Sequence, residues 1–181
     1  MTATTIKQTE SAPAAYPATP TGLSTAAAAL DPEMVWQRIE AYTAHRWSER
    51  AVTWIVEGCG DWHPPLTPVT VTTVESWQGG AWVTNGPEVS PLGGYCLPGG
   101  TFRFVGTAGD DEAEIPAAVK EAFRRLAEYM AATKKGTPGT TRERVTAGSV
   151  TVDKTRSESW AAHAMANSGA GDLLRNYRRA G

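Results

Sequence analysis

The strongest pattern of apolar and polar positions lies between Ile115 and Lys135. Val119, Phe123, Leu126 and Met130 stand at i, i+4, i+7 and i+11, which places them on one face of a helix. Lys120, Glu121, Arg124, Arg125 and Glu128 fill the other positions, and Glu121 with Arg125 makes a favourable i, i+4 pair. Pro116 sits where a first helical residue belongs, and Gly136 and Pro138 end the helix. A shorter stripe, Val35, Ile39 and Tyr42, follows Asp31-Pro32-Glu33. That tripeptide combines a capping Asp, a first-position Pro and an acid in the first turn. Trp36 and Trp47 flank the stripe, and this helix is predicted to end between Arg46 and Glu49.

Between the two helices the rhythm changes to that of strands. Ala51 to Val56 is a short run of β-formers, broken by Gly58-Cys59-Gly60 and by Pro64, Pro65 and Pro68. Val69 to Trp77 reads as a strand, Gly79-Gly80 as a turn, and Ala81 to Thr84 as its return. Asn85-Gly86-Pro87 turns the chain again, and extended pieces follow around Tyr95 and from Thr101 to Val105, where Phe102 and Phe104 share a face. These signals predict a small antiparallel β-element inserted between helices. The predicted fold is therefore α+β and mainly α: a small helical bundle with that insertion and extended N- and C-terminal arms.

The flanking segments are weaker. Residues 1–30 are rich in Thr, Ala, Pro and Ser, too poor in large apolar groups to offset their ordering entropy alone. They read as a flexible arm, or one that orders on a partner. Residues 31–135 form the predicted core, and 136–181 a loop and C-terminal docking segment. Within the latter, Lys134 to Arg144 reads as a mobile loop and Val145 to Val152 as a weak strand. Ser157 caps a helical piece containing Trp160 and Ala164, Gly169 and Gly171 interrupt, and Asp172 to Arg179 forms a short terminal helix or hook.

Composition narrows the classes. The chain has 181 residues with 17 Lys plus Arg against 19 Asp plus Glu, so no basic excess points to a nucleic-acid surface. Seven Trp point to subunit contacts, where Trp is favoured. Two Cys make no disulfide framework, though Cys59 and Cys96 allow one bridge. The N-terminal stretch lacks the pattern of a signal peptide, and no apolar run is long enough to span a membrane, so a soluble intracellular protein is expected.

Candidate chemistry is sparse. Cys59, Asp61 and His63 offer a thiol, a carboxylate and an imidazole within five residues, the groups a Cys–His nucleophile or a metal would use. A structural zinc site needs more ligands than two Cys and three scattered His supply, and a surface turn is the plainer reading. The paired glycines of GGYCLPGG lack the Gly-Lys-Ser/Thr ending of a phosphate loop. Glu112 and Glu114 complement the positive end of the main helix. No catalytic, cofactor or metal residue is assigned. Leu173, Leu174 and Tyr177, with Arg175, Arg178 and Arg179, instead read as a short hook that needs something to pack on: it either folds back on its own domain or docks on a partner in the helix-in-groove mode, and the second is expected.

The order of these pieces is more specific than any one of them. An opening helix leads through WSERAVTWIVEG, PPLTPVTVTTVESWQGGAW and GYCLPGGTFRFVGTAG to IPAAVKEAFRRLAEYMAA, and the chain closes on GDLLRNYRR. From about Asp31 to Arg179 this resembles the head–tail connector, or adaptor, family of long-tailed bacteriophages and phage-like gene transfer agents. The resemblance implies a non-enzymatic virion protein of the particle's neck, assembled in the bacterial cytoplasm. It implies a ring, commonly dodecameric, between the portal protein and a stopper or other neck protein, with DNA passing through the lumen without sequence-specific binding and no membrane contact. It assigns the portal-facing role to Asp172 to Arg179. Another neck or tail-completion protein is the alternative, and a small Cys/His-dependent hydrolase a more distant one.

Overall fold

The computed structural model describes residues 2–91, 93–134, 142–147, 150–155 and 163–178. Its contacts divide the chain into two units, residues 1–17 with 44–113 and 179–181, and residues 18–43 with 114–178. Among the described residues strand outweighs helix, in an eight-strand antiparallel sheet system, so the expected mainly helical bundle is overturned.

The first unit is built from strands β1 (Thr4–Glu10), β2 (Arg50–Glu57), β3 (Gly60–Trp62), β4 (Val69–Gln78), β5 (Ala81–Thr84), β6 (Glu88–Val89), β7 (Tyr95–Leu97) and β8 (Thr101–Ala108). Five of them form an antiparallel sheet in the order β1-β2-β8-β4-β5, and three form a second sheet, β3-β7-β6. The sequence dictates the layering through period-2 alternation. Along β8 each second residue is buried, with Phe102 and Phe104 among them, and along β2 the same holds for Val52, Trp54 and Val56. Against these pack Trp62, Leu66 and Leu97. The Trp62 and Phe104 rings stack with centroids 4.3 Å apart. Gly106 of β8 faces a register shift in β4 between Val71 and Thr73, and a Cβ there would collide with the Thr70 carbonyl. Only glycine allows that approach.

The expected extended N-terminal arm is replaced by β1, an edge strand in register with β2 from Thr4↔Glu57 to Glu10↔Val52. No alternation announces it, because its side chains lie mostly in water.

The second unit holds helices α1 (Thr25–Ala28), α2 (Pro32–Tyr42), α3 (Ala117–Lys134), α4 (Ala164–Asn167) and α5 (Ala170–Leu173), a 3-10 turn (Arg175–Tyr177), and a hairpin of β9 (Arg142–Ala147) and β10 (Val150–Thr155). All four residues of the predicted α3 stripe are buried, joined by Ala122, Ala127 and Ala131. Helix α2 packs on α3 with Val35, Trp36 and Ile39 buried, and the Trp36 and Phe123 rings lie 5.0 Å apart. Asp31 caps α2 through the Glu33 N–H at 3.0 Å, as its sequence requires. This helix stops at Tyr42, short of the predicted end. The Thr43 hydroxyl and N–H both donate to the Ile39 carbonyl, each at 3.0 Å, and Thr43 itself is extended. Pro116 lies just before α3, its carbonyl accepting the Lys120 N–H at 3.0 Å. Glu128 of α3 accepts from both the N–H and the hydroxyl of Ser24, at 2.6 and 2.7 Å, and so holds the start of α1. Gly136, Pro138, Ser157 and Trp160 lie outside the described residues.

Candidate functional site

The predicted hook folds back on its own unit. Helix α5 packs along α3, and Ala170 and Leu174 are both fully buried. Glycine explains the fit. Gly169 adopts the left-handed conformation (φ 72°) that turns the chain between α4 and α5. Gly171, expected to interrupt the helix, lies inside α5, where a Cβ would come within 2.8 Å of the Tyr42 hydroxyl. The Arg178 guanidinium lies 4.8 Å over the same Tyr42 ring and donates to its hydroxyl at 3.4 Å. Tyr42 is thus the post on which the C-terminal segment is hung.

Of the six residues predicted to bind a partner, Leu174 is the buried anchor, and Leu173 and Tyr177 are half-buried. Arg175 is exposed and pairs with Asp172, Arg178 is exposed on Tyr42, and Arg179 lies outside the described residues. The solvent side of the segment is therefore a polar rim of Asp172, Arg175, Asn176 and Arg178. Farther along α3, Glu121 accepts from Arg125 at 3.0 Å and from Arg124 at 3.2 Å, and these hydrogen bonds lower its pKa.

In the sheet unit, Cys59, Asp61 and His63 are all exposed around β3, while Trp62 between them is buried. Asp61 stands opposite Cys96 in register. Among the described residues no three His, Cys, Asp or Glu side chains gather as a metal would require. Cys59 and Cys96 are not joined in a disulfide. Glu114 pairs with Lys120 at 3.4 Å, and the Glu112 backbone N–H donates to the Asp110 carboxylate.

One polar cluster had no signal in the sequence. Glu10, at the end of β1, meets Arg46 at 2.5 Å and Arg50 at 3.2 Å. Burial raises the pKa of its carboxyl, but the two guanidinia outweigh that effect and hold it below the ordinary value. Gln8 accepts from the Trp54 indole at 2.8 Å, and Thr5 from the Trp62 indole at 2.9 Å. His45, its ring tilted 38° to that of Trp47 with centroids 3.9 Å apart, has its pKa lowered by burial and then by Arg46. The partners of β1 in this cluster are 36 to 57 residues away, which no local pattern encodes.

Compared with known proteins, the chain matches no family model and no curated sequence. No described helix is long and apolar enough to cross a membrane.

Proposed function

We propose that this chain is a structural head–tail adaptor of a phage or phage-like particle. In this reading it forms a ring between the portal and the next neck protein, lines the DNA exit channel, and carries no enzymatic activity. The observation that supports the reading best is in the helical unit. The two motifs that carry the resemblance, IPAAVKEA and LLRNYRR, are about fifty residues apart, yet the second begins on α5, which packs on the helix that the first begins, and its Leu174 is buried. Leu174 anchors the segment internally, so the portal contact falls to the exposed rim of Arg175 and Arg178, with Tyr177 and Leu173 at its border. Arginine suits that role because its planar fork pairs with carboxylates in two places at once.

The test is sedimentation and electron microscopy of the chain mixed with a portal protein from the same source. The expected result is a ring seated on the portal. Arg175→Glu with Arg178→Glu should abolish seating while leaving the melting curve close to that of the parent, since neither side chain is in the core. Absence of any complex with the portal, or binding to tail tube instead, sinks the reading.

A further inference from the structure

A pocket of about 220 Å³ opens in the sheet unit, where the end of β4 meets the β5–β6 loop and the β7–β8 turn. Its wall includes Ser76, Trp77, Gln78, Asn85, Thr101 and Phe102. None of the residues lining it is charged, so a charged ligand would lose its hydration without a counter-charge there. The polar groups present are amides and hydroxyls, which both donate and accept. They are incompletely used. Ser76 is only 7% exposed, and its hydroxyl oxygen accepts from the Gln78 amide at 2.8 Å, leaving its own proton to donate. The Gln78 carbonyl and the whole Asn85 side chain make no hydrogen bond among the described residues. Phe102, 4% exposed, supplies apolar surface, and Trp77 is 49% exposed, held edge-on to Trp82 with centroids 5.1 Å apart. Trp82 is itself fixed by Arg103, 4.7 Å over its ring and paired with Glu75 at 2.5 Å.

The geometry points to a binding site for a neutral sugar residue. A pyranose carries adjacent hydroxyls that donate and accept, which Asn85, Gln78 and Ser76 match, and an apolar C–H face that aromatic surface covers. The volume suits one ring rather than a drug-sized ligand. Extended peptide is the competing occupant, but a strand would look for backbone partners in series, whereas these groups come from side chains around one small cavity. The inference concerns the sheet unit alone and stands apart from the adaptor reading.

The experiment is saturation-transfer NMR on the full chain with three neutral probes at millimolar concentration: maltotriose, cellotriose and triacetylchitotriose. Acetyl-prolinamide serves as the peptide probe. At least one sugar should show transfer, and Asn85→Ala and Gln78→Ala should each weaken it about fivefold, as expected for loss of a neutral hydrogen bond. Both residues are exposed, so circular dichroism should show unchanged folding. No transfer to any of the three sugars overturns the inference. So does transfer that both variants leave intact, or binding of acetyl-prolinamide without any sugar.

Discussion

Strand β1 lies on the sheet unit with Ile6 60% exposed and is gripped by side-chain polar contacts: Glu10 on Arg46 and Arg50, Gln8 on Trp54, Thr5 on Trp62. The C-terminal segment lies on the helical unit with Ala170 and Leu174 at 0% exposure and Gly171 pressed to Tyr42. Both segments are near a chain end, and both return to their own unit. The polar grip responds to pH, because its strength depends on charge. It is also asymmetric: removing the strand's acceptor leaves buried donors behind. The apolar grip responds to volume and is indifferent to protonation.

The largest expected effect marks the apolar side at its centre. Phe123→Ala empties a site 1% exposed beside Trp36 and should cost about 3–5 kcal/mol. A denaturant midpoint unmoved by the substitution would show that the α3 stripe is not core. Leu174→Ala probes the same physics at the chain end and should cost about 2–5 kcal/mol, with no dependence on pH. If its effect is negligible, the C-terminal segment is not anchored as described, and Leu174 is free for a partner.

On the polar side, Glu10→Gln removes the charge between Arg46 and Arg50. The Glu10 side chain is 20% exposed, so the expected loss is about 1.5–3 kcal/mol, the range for hydrogen bonds to charged groups, and not the larger value of a fully buried pair. The sign with pH follows from the lowered pKa. Glu10's stabilising contribution is complete above its ordinary value of 4.5 and is lost as pH falls through the lower folded value. His45, also lowered, favours the neutral form, so its contribution begins to fall below 6.5. Melting followed against pH should therefore decline in two windows, with His45→Gln flattening the upper and Glu10→Gln the lower. Hydrogen exchange across β1 should accelerate in the lower window only. Equal acid limbs in parent and Glu10→Gln would remove Glu10 from the account.

The smallest expected effect is local. Asp31→Ala deletes the α2 cap and should cost about 1 kcal/mol, read as a small fall in melting temperature. A change much larger than that would mean Asp31 holds more than the Glu33 N–H.

Where residues a few positions apart decide an element, the sequence by itself determined it. The α3 stripe, the Asp31 cap and the strands β2, β4, β5 and β8 all follow from period and turn chemistry, which state which side of a segment is apolar. The candidate hook was legible as apolar residues at Leu173, Leu174 and Tyr177, but not that Leu174 would be spent inside its own unit. Tertiary structure decided that, through Gly171 against Tyr42. It also decided the balance of strand and helix. Helices announce themselves over many turns, whereas β1 is polar but for the exposed Ile6 and exists because β2 offers it a register and Arg46, Arg50, Trp54 and Trp62 offer it donors. Those partners are distant in sequence, and only folding brings them within hydrogen-bonding reach.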